Sequence, residues 1–239
     1  MSGAIINAAG IAAGGGFALA AKKPIPALYQ LALKIILGVY TLWFGLKLAW
    51  TSFYGSPRQI LKELAIVLLA MTLGKLAGKL MRLQKLSNSI GQYATRTLAA
   101  PKPNPQFSDG FVLATALFCV GPLAWLASVQ EGLAGFSPLF VVKAVTDGLA
   151  AYAFCATFRW SVIVSALPVL AFEGSLIRLV QVAGPMLPNR SWLLPDSITA
   201  VDGLLIFCVA MLILELKKIA VTDYLPSLIL APLLAWLLW

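Results

Sequence analysis

Histidine is missing from this chain altogether. That removes the commonest proton shuttle and transition-metal ligand, and it rules out an HExxH metalloprotease helix. Acids are scarce too: nine Asp and Glu stand against eighteen Lys and Arg, and charged residues of both signs make up only 11% of the 239 residues. A soluble globular domain carries roughly 25%. The three cysteines, Cys119, Cys155 and Cys208, lie far apart in apolar segments, so a CxxC-type metal or redox motif is excluded and buried free thiols are expected. No GxSxG, Walker A or GxGxxG motif occurs. The run Gly14, Gly15, Gly16 is not followed by the Lys-Ser/Thr of a phosphate loop. With no nucleophile motif and no His, the chain is not expected to be an enzyme, and it calls for no cofactor and no metal. No hydrophilic stretch is long enough for a soluble domain; the longest is roughly 81–107. Residues 1–21 lack a basic n-region, the first charges being Lys22 and Lys23, so a retained first span is expected rather than a cleaved signal peptide.

What is abundant is apolar. Hydrophobic residues make up 60% of the chain and the mean hydropathy is +0.89. The expectation is an all-α integral membrane protein in a lipid bilayer, forming one polytopic domain over 1–239. It has about eight transmembrane helices (seven if one segment fails to cross), several of them broken by Gly or Pro. The spans fall at about 3–21, 29–52, 60–80, 109–128, 138–157, 160–181, 199–216 and 223–238. The net charge of +9 is read as the positive-inside excess of cytoplasmic loops. Nucleic acid is not an expected partner, since no basic patch is interleaved with aromatics. With the N-terminus outside, the inner side receives eleven basic residues: Lys22, Lys23, Lys75, Lys79, Arg82, Lys85, Arg96, Lys102, Arg159, Lys217 and Lys218. The outer side receives three, Arg58, Lys62 and Arg190. That bias places both termini outside. Trp236 and Trp239 suit an interfacial aromatic belt.

The cytoplasmic loop at 81–107 separates a three-span part (1–80) from a five-span part (108–239). PKPNPQ at 101–106 has proline at every second position and cannot be helical. Three segments, 108–119, 146–155 and 201–208, open on or near Asp-Gly and close on Phe-Cys. Asp109 and Asp202 read most simply as helix N-caps there.

Polar residues inside the spans carry the functional signal. Lys143 and Asp147 lie four apart in the run PLFVVKAVTDGLAAYAFCAT. That spacing is one helix face, so the two can neutralise each other. A charge in a span costs at least ~2.5–3.5 kcal/mol and usually faces a bundle interior or a wet cavity. The plain alternative is a self-neutralised pair that locks helices together. Gly148, next to Asp147, permits close approach. In the first span Gly3, Asn7, Gly10 and Gly14 recur at steps of four, three and four, on one face. Such a stripe is a helix-helix seam, or, with the amide of Asn7, one wall of a polar cavity. Gly74 and Gly78 form a plainer packing pair. Glu173 and Gly174 lie deep in the sixth span after Pro168, where a kinked helix beside a carboxylate would expose backbone to ions. Arg178 is roughly 140° around the helix from Glu173 and is not its ideal partner. Gly121 and Pro122 are expected to break the fourth span near mid-membrane, with Gln130 and Glu131 near its outer end.

Taken together, the segments GAIINAAGIAAGGGFA, GFVLATALFCVG, QEGLAG, LFVVKAVTDG, ALPVLAFEGSL, VDGLLI and YLPSLILAPLL give the chain, over nearly its whole length, a resemblance to the YqgA/YdfK-like bacterial membrane proteins (domain of unknown function 554). The resemblance implies Asn7, Gly121, Gly132, Lys143, Asp147 and Gly148 as shared positions, and a multi-pass protein of the bacterial inner membrane. It departs where relatives usually carry Gln-Gly, here Glu173-Gly174. It departs also at Pro122 and at Phe158-Arg159-Trp160, where a Leu-Gly pair is usual.

The leading expectation is a small secondary transporter or channel for an ion or small polar solute. Its site would lie near mid-membrane around Asp147, Lys143, Asn7 and Glu173. The alternative is a structural or regulatory scaffold in which the Lys-Asp pair only locks helices. A homodimer through the glycine stripes is a further expected partner arrangement.

Overall fold

A computed structural model describes residues 1–21, 26–99, 107–186 and 195–238. Lys22, Lys23, Lys102, Arg190, Trp239 and the proline-rich 101–106 lie outside the described residues. Among the described residues every regular element is helical and none is a strand: α1 (Ser2–Ala20), α2 (Ala27–Ser52), α3 (Pro57–Leu80), α4 (Leu83–Ala99), α5 (Phe107–Val120), α6 (Pro122–Ala134), α7 (Leu139–Phe158), α8 (Ser161–Val164), α9 (Ala166–Met186), α10 (Pro195–Ile213) and α11 (Ser227–Leu238), with a 3-10 turn at Val221–Tyr224. Four helices are long and apolar enough to cross a membrane, and up to six spans result when each bent helix pair is counted as one. Large apolar side chains such as Phe17, Trp50, Leu80 and Leu237 are exposed, a surface that suits lipid and not water.

The chain divides into two compact units, Met1–Ala32 with Lys85–Leu179, and Leu33–Gln84 with Val180–Trp239. Each unit draws on two stretches of sequence, and in the first α1 docks on α7. The stretch 81–107, expected as a connecting loop, carries helix α4. Its polar composition hid it from a search for apolar spans.

In the first unit α1 and α7 run parallel. A Cβ on Gly10 would stand 2.5 Å from the Ala144 carbonyl oxygen, one on Gly14 would meet the Gly148 carbonyl, and one on Gly148 would stand 2.8 Å from the Gly10 carbonyl oxygen. At Gly10 and Gly14 the stripe is a seam, and its partner is α7 of the same chain. Below the seam, Ile11, Leu113, Ala114, Phe118, Phe154, Phe158, Val162 and Val169 form the apolar core. The fourth span breaks at Gly121 and bends by 57° between α5 and α6. Pro122 begins α6, where a missing N–H costs least. Gly135 ends α6 with φ +86°, a left-handed cap suited to glycine.

The sixth span is interrupted at Ser165, between α8 and α9. Pro168 has no N–H to offer the carbonyl of Val164, the last residue of α8, so the interruption lies where proline removes a helix bond. Glu173 lies two turns further on, in regular helix. Between α7 and α8 the chain reverses at Arg159, with φ +54° and ψ −137°. A side chain is strained there and glycine is not, which fits the glycine that the resemblance leads one to expect near this position.

In the second unit α3 opens with a Ser56–Gln59 capping box and Pro57 in its first turn. It packs antiparallel to α11. A Cβ on Gly74 would lie 2.6 Å from Ser227, and one on Gly78 would meet the Asp223 carbonyl. Their expected packing role holds. Helices α2 and α10 also run antiparallel, joined where Gly45 and Gly203 face each other: added Cβ atoms would stand 2.7 and 2.8 Å from the opposite carbonyl oxygen. Asp202 is the eighth residue of α10, mid-helix, so it is not the N-cap read from the sequence. Asp109 lies within the first turn of α5, where its charge opposes the helix dipole favourably.

Candidate functional site

The four polar residues singled out from the sequence meet at one place in the first unit. Asn7 comes from α1, Lys143 and Asp147 from α7, and Glu173 from α9. The amide nitrogen of Asn7 donates to Glu173 Oε1 at 2.9 Å and to Asp147 Oδ2 at 3.3 Å. The Lys143 ammonium ion-pairs with Asp147 Oδ2 and lies 3.3 Å from Glu173 Oε1. Two donors and two carboxylate oxygens thus form a closed ring. Asn7 and Glu173 are fully buried, Lys143 is 3% exposed, and the Asp147 side chain 14%. The ring exists because the glycine seam lets α1 approach α7 at backbone distance, which brings a short Asn side chain within reach of both acids.

A third acceptor explains the lysine. Its ammonium also donates to the backbone carbonyl of Phe118 at 3.0 Å. In an unbroken helix that carbonyl would accept from residue 122, but Pro122 has no N–H. Lys143 supplies the missing donor and so ties the break in the fourth span to the ion pair. Gly121 marks that break with an extended ψ of 137°, and a Cβ there would meet only the Leu117 carbonyl oxygen, at 3.7 Å.

Charge does not balance within the ring. One ammonium faces two carboxylates, leaving one negative charge in excess if both acids ionise. Two buried oxygens, Asn7 Oδ1 and Glu173 Oε2, have no hydrogen-bond partner. Such atoms are costly to leave bare. The arrangement can therefore take up a proton or a small cation, or a donor group of a polar solute. Arg178 is exposed and plays no part in the ring. Gly174 faces only the tip of the Met1 side chain, 3.3 Å from where its Cβ would be. Among the described residues no group of three or more Cys, Asp or Glu is placed to hold a metal ion.

Sequence reasoning gave no role to Glu131, which proves to be a structural carboxylate. It is fully buried near the end of α6 and sits at the start of α1. The Gly3 N–H donates to its two oxygens at 3.2 and 3.0 Å, and the Met1 amine lies 2.5 Å away. A helix N-terminus has unpaired N–H groups and positive potential, and one buried carboxylate answers both. Gly3 belongs to this contact rather than to the α1–α7 backbone seam, for a Cβ there would strike the Glu131 carboxylate and the Phe140 ring. The available signal was an acid at the outer end of one span and no acid or cap at the start of another.

The profile of DUF554, described as a protein of unknown function, matches residues 2–236. The chain belongs to DUF554. It is 26% identical over 239 residues to "Uncharacterized membrane protein YdfK" of Bacillus subtilis (strain 168), covering 100% of this chain and 97% of that protein. It is 25% identical over 242 residues to "Uncharacterized protein YqgA" of Escherichia coli (strain K12), covering 99% of this chain and 98% of that one. No solved structure matches. The resemblance leads one to expect glutamine at the position of Glu173. A glutamine oxygen could still accept from Asn7 and Lys143, but the ring would then be neutral. The excess charge is thus a property of this chain's Glu173.

Proposed function

We propose that this DUF554 protein is a small secondary transporter or channel of the bacterial inner membrane, not an enzyme, and that its cargo is an ion or small polar solute handled at the Asn7–Lys143–Asp147–Glu173 ring. The observation that carries the reading is a ring of four polar side chains inside an apolar helical unit, with one ammonium against two carboxylates. Intramembrane ionisable groups are expensive and mark ion or solute paths. The excess negative charge favours a cation or a solute that brings a positive or donor group.

Eight crossings are compatible with the relative helix directions, and the positive-inside bias of the sequence puts the N-terminus outside. Parallel α1 and α7 need an odd number of crossings between them, and α2, α3 and the bent α5–α6 pair supply three. Antiparallel α2 and α10 need an even number, and α3, α5–α6, α7 and α9 supply four. The same parity holds for α3 and α11. On this count α5–α6 is a broken span and not a re-entrant loop.

The test is flux in proteoliposomes against a panel of monovalent and divalent cations and small polar solutes. Asp147→Asn should abolish a flux that the natural chain supports. A flux indifferent to Asp147→Asn would remove the ring from transport. The scaffold reading has its own support, because Lys143 also holds the Phe118 carbonyl left by Pro122. Under that reading Asp147→Asn lowers stability and changes no flux.

A further inference from the structure

The second unit holds a buried acid of another kind. Asp202 is fully buried in mid-α10, and neither carboxylate oxygen has a hydrogen-bond partner. Among the described side chains of α2 and α3, the cations Lys47, Arg58, Lys62, Lys75 and Lys79 are all exposed. Glu63 on α3 accepts from Ser197 at the start of α10, and Asp223 accepts from the Gln84 backbone. Tyr40 and Tyr224 make no hydrogen bond to it, and α11 carries no ionisable side chain. An ionised carboxylate with neither counter-ion nor donor is the least tolerable group a low-dielectric interior can hold. The neutral acid is tolerable. The seam beside it is tight as well, since Gly203 follows Asp202 and meets Gly45 backbone to backbone.

We propose that Asp202 is a second protonatable site of the membrane interior, separate from the Asp147 ring. It carries a proton in this conformation and yields it only where loosening of the α2–α10 seam brings water or a base to it. The site takes a proton rather than a metal ion: among the described residues no group of three Cys, Asp or Glu is placed to hold one. It stands independently of the transport reading.

Infrared difference spectroscopy on the full-length protein in lipid nanodiscs tests this without any transport assay. At neutral pH the natural chain should show a protonated-carboxyl carbonyl band that shifts in D2O. Asp202→Asn should remove one carboxyl's worth of that band, and Asp147→Asn should leave that component in place. Asp202→Glu should move the component rather than remove it, which guards against a variant that misfolds. A band of unchanged position and intensity in both Asp202 variants would overturn the proposal. Loss of the Asp202 component with no flux in any proteoliposome would sink the transport reading and leave the proton site standing.

Discussion

Asp147 and Asp202 each precede a glycine whose backbone touches a glycine on another helix, α1 in one unit and α2 in the other. Around Asp147 the protein has built a counter-ion, an amide donor and a second carboxylate. Around Asp202 it has built nothing polar that bonds to it. The helix pairs also run in opposite senses, parallel for α1–α7 and antiparallel for α2–α10, so the shared Asp-Gly is a local device and not a sign of repeated architecture. The glycine does the same job in both places: it admits a neighbouring backbone. What differs is the charge state that each surrounding supports, an ion pair in the first and a neutral acid in the second.

The comparison breaks most visibly at the lysine. Lys143→Met leaves two buried carboxylates and the Phe118 carbonyl without their cation, and should cost about 3–5 kcal/mol in reversible unfolding in detergent micelles. Adding Asp147→Leu should recover much of that, though not all, because Phe118 keeps its bare carbonyl. No single change around Asp202 should approach this size, since no partner there can be lost. Next come the seams. Gly14→Ala drives a Cβ into the Gly148 carbonyl and Gly45→Ala drives one to 2.7 Å from that of Gly203; each should cost about 1–3 kcal/mol by the same measurement. Equal losses would confirm that the two seams are mechanically alike. A smaller effect is expected of Glu173→Gln. It keeps an acceptor for Asn7 and Lys143 while removing the excess charge, so stability should fall by only about 1 kcal/mol. Cation flux, if the ring carries it, should fall far more. A flux unchanged in this variant would show that the charge excess is not what recruits the cargo. The smallest effect lies outside both sites. Arg159→Gly should exceed Arg159→Ala in stability by about 1 kcal/mol, because only the glycine relieves the positive φ. Equal midpoints would mean that the turn relaxes without strain.

Much of the site was legible one helix at a time. The 3.6-residue period put Lys143 and Asp147 on one face and aligned Gly10 with Gly14, and the cost of charge in lipid singled out Asp147 and Glu173. The break at Gly121-Pro122 was legible because proline has no N–H. The interruption at Ser165 was legible for the same reason, through Pro168. The N-cap reading of Asp202 failed. Asp-Gly suits a helix start, yet the same pair also suits a tight seam in mid-helix, and local sequence does not separate the two.

Sequence by itself determined that this chain is helical and membrane-bound, which family it belongs to, and which polar residues its interior must accommodate. Composition and periodicity act along one chain segment, and those properties need no partner. Tertiary structure alone decided who meets whom. Asn7 reaches Glu173 across 166 residues of chain, Lys143 answers a carbonyl that Pro122 left bare, Glu131 closes the start of α1, and Asp202 is left with no one. Hydrogen bonds and ion pairs act over about 3 Å, so they are settled only when packing has chosen which helix faces lie side by side.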